Sequence, residues 1–306
     1  MENRDNARVP EKALGASKVD EIPATRGLVR QISQALKTDV RDWYERHRRN
    51  DTTKPLVWTF YLQLILLVGL LILLPFDTAE VEGRARLVKP LNFTGSFAVY
   101  LAVVVIIVDY LRTSDWWKKV ISWGISACIF VAITCITLQA ARGTTSHFNQ
   151  DTSFDLAVSV LMDIVDPLNS IFVFVLLVFA LQSKLEVSPP TQLGFVFGLI
   201  IFLAGGVVGG VMVFQGQSTV GVAPGSPGLP VLNWSTMGGD LRVAHFLGVH
   251  AIQILPIAGW LINQVHFFGR SMRAKRIQVV AVSSAYVLFM GYTFMQAMQG
   301  SPLVSV

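Results

Sequence analysis

A seven-helix, all-α membrane bundle is the fold the sequence predicts, and three observations predict it. Charged residues make up 15% of the 306 and hydrophobic ones 52%, whereas a soluble domain carries closer to a quarter charged. Mean hydropathy is +0.53. The apolar residues are also gathered into runs of roughly 20, the length that crosses a ~30 Å hydrocarbon core.

Uninterrupted apolar length gives spans at Leu56–Phe76, Phe93–Leu111, Val120–Ala140, Phe154–Gln182, Leu193–Phe214, Leu241–Val265 and Ile277–Met298. The fourth is long and interrupted by polar residues, so it is expected to tilt or kink. The basic residues orient the bundle. Of the 25 Lys and Arg, twenty fall in the N-terminal segment, Arg112–Lys119, Lys184 and Arg270–Arg276. Arg84, Arg86, Lys89, Arg142 and Arg242 fall on the other side. Positive-inside bias then places the N-terminus in the cytoplasm and, after seven spans, the C-terminus outside.

Ahead of a transmembrane domain over residues 55–300, residues 1–54 form a cytoplasmic segment with no apolar stretch of signal-peptide type, so no cleaved leader is expected. Residues 1–25 are polar and mixed in charge and are expected to be disordered. From Leu28 to Arg49, Val29, Ile32, Leu36, Val40 and Trp43 recur at helical spacing against Arg30, Lys37, Arg41, Arg46, Arg48 and Arg49. That pattern predicts a basic amphipathic helix, 28–49, lying on the anionic cytoplasmic leaflet. A partner-binding helix is the alternative, and His47 in this run is read as solvated. The net charge of +5 thus concerns topology and anionic lipid, not nucleic acid.

Gly194, Gly198, Gly205, Gly206, Gly209 and Gly210 lie in the fifth span as three Gly-xxx-Gly pairs, which let another helix backbone approach closely. Gln215–Gly239, with no Lys, Arg, Asp or Glu and the run VAPGSPGLP, is expected to be a loop, either a lid over the outer mouth or a plain connector. Cys128 and Cys135, two turns apart on one span, sit about 10 Å apart by helical rise, too far for a disulfide. They are read as small buried hydrophobes.

The sequence GGDLRVAHFLGVHA, Gly238–Ala251, concentrates polar groups at the start of the sixth span. His245 lies roughly 6 Å in and His250 roughly 13 Å in. Five residues apart, they are about 140° apart around the helix, so no HExxH-type metal pair forms. His250 instead shares a face with Gln253. In the fourth span Asp155, Ser159, Asp163, Asp166 and Ser170 make one polar stripe, and Pro167 withholds an N–H from the Asp163 carbonyl. Carboxylates at this depth cost at least a few kcal/mol if ionised and unpaired. They are expected to face the bundle interior, to be protonated, or to hold a cation. Arg142, His147, Asn149 and Asp151 in the preceding loop fall on the same side as Asp240, Arg242 and His245, as do Tyr292, Gln296 and Gln299 at the end of the seventh span. The opposite half offers chiefly Asp109, Gln182 and His266. Asp240 is placed to cap the sixth helix, and Arg242 to pair with an acid or reach a headgroup.

The segments VKPLNFTGSFAVYL (Val88–Leu101), QAARGTTSHFN (Gln139–Asn149) and GGDLRVAHFLGVHA resemble those of a family of uncharacterised bacterial polytopic membrane proteins. The resemblance implies a bacterial cytoplasmic (inner) membrane location and brings no reaction with it.

Three functions compete. The first is a proton- or cation-binding site reached from outside, with Asp155, Asp163 and Asp166 as entry path and His250 and Gln253 completing it, for transport or sensing. Arg142, His147, Asn149, Asp240, Arg242 and His245 would line its outer mouth. No inverted repeat is visible, which speaks against a typical secondary transporter. The second is a zinc or haem site drawing on His147, His245 or His250, in a membrane enzyme or redox protein; zinc needs three or four ligands, haem one or two axial histidines. The third is a non-catalytic protein whose polar cluster specifies packing. No P-loop, Rossmann glycine pattern, nucleophile elbow or CxxC occurs in a supporting context.

Overall fold

The computed structural model describes residues 23–81, 83–182, 185–265, 269 and 271–305. The elements in order are α1 (Pro23–His47), a 3-10 turn (Asp51–Thr53), α2 (Lys54–Leu73), a hairpin of β1 (Glu80–Val81) and β2 (Arg84–Ala85), α3 (Val88–Tyr110), α4 (Asp115–Ala141), α5 (Ser153–Gln182), α6 (Pro189–Gln215), β3 (Thr219–Val220), β4 (Gly239–Asp240), α7 (Leu241–Gln264) and α8 (Met272–Met298). Among the described residues seven helices are long and apolar enough to cross a membrane, as a multi-pass membrane protein requires.

All the spanning helices but α7 outrun the apolar windows at their starts. α4 begins at Asp115 and α8 at Met272, each five residues before its apolar run, because hydropathy marks hydrocarbon thickness and not helix length. Local chemistry sets these starts. Ser188 and Ser271 accept the Thr191 and Ala274 amides as N-caps, and proline occupies the first turns of α2 and α6, where its missing N–H costs nothing. α5 runs 30 residues without interruption through Pro167, a length of ~45 Å that exceeds one hydrocarbon thickness.

One core joins α2 through α6 around Leu101, Val104, Ile125, Leu176 and Leu199. A second joins α6, α7 and α8 around Ile201, Leu241, Ala251 and Met290. The seam between α6 and α7 is made of backbone. A Cβ added at Gly205 would lie 2.7 Å from the Gly248 Cα, and one added at Gly248 would lie 2.3 Å from the Gly205 Cα. Gly194 and Gly198 face the Leu255 and Ala251 carbonyls just as closely. Gly206 turns instead to Ser170 of α5, and nothing approaches Gly210.

Two expectations change. The N-terminal helix begins at Pro23, so residues 23–25 are helical where disorder was expected; residues 1–22 lie outside the described residues. Its apolar residues also do not form a single face. Ile32 and Trp43 are half-buried against the bundle, while Val29, Leu36 and Val40 are exposed. His47 is a further correction: it is not simply solvated. Its Nδ1 lies 2.9 Å from Asp109 Oδ2, in the last turn of α3, and its ring stacks on Trp43 at 5.1 Å. Asp109 is buried and also accepts the Trp43 indole N–H (3.0 Å), the Asn50 amide (2.7 Å) and the Thr53 hydroxyl (3.2 Å). Nearby, Glu186 takes Arg112 at 3.0 Å and Arg46 at 2.5 Å; these two guanidiniums hold its carboxyl below the usual range. The Trp260 indole donates to Asp39 and the Gln31 amide to the Gln264 carbonyl. α1 is therefore strapped across the Asp109 end of the bundle, from α7 to α3.

Candidate functional site

At the opposite end, named here for Asp240, the short connections are braced by charged groups. Asp240 is buried, caps α7 through the Arg242 amide (3.0 Å), and accepts the Ser235 amide (2.7 Å) and the Arg242 guanidinium (2.6 Å). Arg242 reaches on to the Asn233 carbonyl at 2.5 Å. These bonds fix the 216–239 loop, which is not wholly irregular: Thr219 pairs with Asp240 and Val220 with Gly239 as an antiparallel bridge. Asp155 is likewise absorbed. It accepts from Gln139 (2.8 Å), Thr152 (2.5 Å) and Arg142, while the Arg142 guanidinium lies over the Phe154 ring. Asn149 ties Thr144, Thr145 and Asp151 within its own loop. Asp155, Arg142, Asn149, Asp240 and Arg242 thus have local bracing work that accounts for them.

The histidines point to different helices, as their angular separation requires. His245 Nδ1 lies 2.9 Å from the Gly205 carbonyl of α6, so that nitrogen carries the proton and Nε2 is left as an acceptor. Gly209 makes room for the ring, since a Cβ there would come within 3.2 Å of it. His250 turns to α3. Its Nδ1 donates to Gln253 Oε1 at 2.9 Å, and its Nε2 is 3.4 Å from the Ser96 hydroxyl. One turn along α3 from Ser96, Tyr100 donates to Asn169 of α5 at 3.2 Å and stacks on Phe202 of α6 at 5.5 Å. Three helices, α5, α6 and α7, therefore converge on the Ser96–Tyr100 face of α3. Ser96, Tyr100 and Asn169 were missed in the sequence; the available signal was a pair of polar residues one turn apart in an otherwise apolar run.

A roof lies above this point. Trp234 of the 216–239 loop packs on Phe246 at 5.5 Å, and Phe246 packs on His250 at 4.2 Å. The loop crosses to α3, where the Asn92 amide donates to the Val231 carbonyl at 2.8 Å. Val231 and Asn233 have φ of 67° and 55°, and for a β-branched valine that conformation is strained. Both left-handed residues aim their carbonyls at the anchoring side chains, Asn92 and Arg242.

Asp163 is half-buried and Asp166 exposed on α5. Neither carboxylate has a hydrogen-bond or ion-pair partner among the described residues. Neither is joined to His250, whose hydrogen-bonding contacts are Gln253 and Ser96. The structure joins His250 to Gln253 and leaves the two carboxylates as a separate pair. Among the described residues no group of three His, Cys, Asp or Glu is placed to hold a metal; His147, His245 and His250 turn to Ser146, Gly205 and Gln253 respectively. His266 lies outside the described residues.

His147 packs near Phe93 and within 3.0 Å of the Ser146 hydroxyl. Burial first, then Lys89 and His245, hold its imidazole well below the ordinary value of 6.5. Between that ordinary value and the lower folded one, the unfolded chain binds more protons. The stability of this loop is therefore complete above pH 6.5 and declines as pH falls below it. Thermal unfolding midpoints on either side of pH 6.5 should show that decline in the native protein and a smaller one in His147→Phe. Equal declines would contradict it.

Comparison with protein-family models, curated proteins and solved structures finds no match for the chain.

Proposed function

We propose that this is a multi-pass protein of the bacterial cytoplasmic membrane whose bundle holds a proton- or cation-binding site at His250, reached from the extracytoplasmic side and used for transport or sensing. The orientation rests on the sequence positions of the basic residues, twenty of 25 of which fall in the segments assigned to one side of the spans. The bacterial location rests on the resemblance of the three polar segments.

The observation that carries the reading is the Ser96–His250–Gln253 chain between α3 and α7. An imidazole there, two turns below the end of an apolar helix, is an ionisable group where ionisable groups are expensive and usually functional. Histidine also changes charge in the physiological range. Asp163 and Asp166, three residues apart on α5, supply carboxylate oxygens with no partner among the described residues, where a cation or a proton would offset two like charges. Asp155 is better read as a brace than as part of an entry path.

Histidine-selective NMR of the protein in nanodiscs tests the reading, with the His250 signal assigned by His250→Gln. The expected result is a His250 signal that follows buffer pH or added alkali cation, together with altered proton or cation uptake in Asp163→Asn/Asp166→Asn. A His250 signal indifferent to both, with uptake unchanged in the variants, would leave the cluster a packing device.

A further inference from the structure

The strap α1 presents a second apolar stripe that the bundle does not use. At 3.6 residues per turn, Leu28, Ile32, Ala35 and Trp43 turn to the bundle, whereas Val29, Leu36, Val40 and Tyr44 fall within about 80° of arc on the adjoining side. These four are 61%, 51%, 52% and 56% exposed. Immediately beside them, Arg30, Lys37, Arg41 and Arg48 occupy about 40° of arc. Arg30, Lys37 and Arg41 are exposed and make no ion pair among the described residues. The acids of the helix lie off the row: Asp39 is taken by Trp260, Asp42 is on the far side, and Glu45 pairs with Arg48 at 3.1 Å, which leaves Arg30, Lys37 and Arg41 with no acid partner among the described residues.

We infer that this stripe is a docking surface for anionic phospholipid. Three features select that occupant. The order around the helix, from bundle face through apolar stripe to basic row and then polar face, matches the order met on leaving a bilayer: acyl chains, phosphates, water. A row of one sign complements an anionic leaflet, whereas a protein partner of ordinary surface would meet mixed charge. Finally, the Asp109 latch and the Trp260–Asp39 and Gln31–Gln264 bonds hold α1 at the ends of the spans. That is the level of the headgroups if those helices cross a bilayer, and the inference rests on their doing so. Val29, Leu36, Val40 and Tyr44 then enter the acyl boundary while the basic row meets phosphate.

The test uses the full chain in nanodiscs, with Cys128→Ala/Cys135→Ala as background and bimane attached at Val40→Cys, Thr38→Cys or Leu288→Cys. Thr38 lies on the polar side of α1, and Leu288 is the exposed α8 position expected in lipid. Bimane at Val40 should be quenched by nitroxide-labelled lipid and little by aqueous iodide, with the reverse at Thr38. Nitroxide-labelled phosphatidylglycerol should quench the Val40 probe several-fold more than labelled phosphatidylcholine. Each lost charge weakens anionic binding about fivefold, so Arg30→Gln/Lys37→Gln/Arg41→Gln should bring the two lipids to near equality. Iodide quenching at Val40 with lipid quenching at Leu288 would overturn the inference alone, as would equal quenching by the two lipids in the unmutated helix. Shielding from both quenchers would assign the stripe to a protein, again against it. Iodide quenching at Leu288 as well would mean that the helices do not span lipid at all.

Discussion

Gly248→Val is expected to separate α6 from α7 and to abolish the stable fold. The Cβ alone would sit 2.3 Å from the Gly205 Cα and 2.9 Å from its nitrogen, and backbone atoms cannot rotate aside as the end of a side chain can. The helices must move apart, which also withdraws the Gly205 carbonyl from His245. In a bilayer the loss is not offset by hydrophobic attraction between helices, because lipid tails are as apolar as the helix faces, and close packing is what remains. A loss above ~4 kcal/mol is expected, in the range reserved for core overpacking at an unyielding site. The unfolding midpoint and folded yield in mild detergent measure it. Gly210→Ala, where nothing lies within 4 Å, serves as the neutral comparison. A Gly248→Val protein that melts with the parent would refute the backbone seam.

Asp109→Ala should release α1 while leaving the spans assembled. One buried carboxylate gathers Trp43, His47, Asn50 and Thr53, and hydrogen bonds to a charged acceptor contribute ~1.5–3 kcal/mol each. They share one acceptor and are not additive, so a total near 3–5 kcal/mol is expected, the usual loss when one partner of a buried charged contact is removed. Asp109→Asn should recover only part of it, since the amide nitrogen cannot accept the donors that face it. Trypsin cutting within α1, at Arg30, Lys37 or Arg41, reads the release directly. Its rate should rise more than tenfold while the melting of the spans shifts little. An unchanged cutting rate would mean that the Glu186 and Trp260 contacts hold the strap without the latch.

The seven long helices were legible because runs of about twenty apolar residues admit few other structures. Their true starts were not, since Asp115 and Met272 continue a helix into regions where hydropathy has already dropped. The amphipathic helix was legible as a helix, but periodicity gives the position of a residue around the axis and not what meets it. Ile32 and Leu36, neighbours on that reading, go to protein and to open surface respectively. The same limit explains His47, whose partner lies 62 residues away in the chain. Within the site, His250 and Gln253 could be joined because they share one helix. Ser96 could not, because the register between α3 and α7 is set by packing. Asp155 was grouped with Asp163 and Asp166 by spacing alone, yet Arg142 and Gln139 claim it from the preceding helix and its loop.

The seam between α6 and α7 also divides the molecule mechanically. With Gly205 against Gly248 there is no layer of side chains to slide or compress, so the two helices travel as one stiff plate. A displacement that uncovers His250 has to be taken up toward α3, to which α7 is joined by the 3.4 Å approach of His250 to Ser96 and the loop before α7 by the Asn92–Val231 bond. The hinge of this protein is thus expected at the α3–α7 edge, with the Asn92 amide as its clasp and the strained Val231 backbone as the spring behind it.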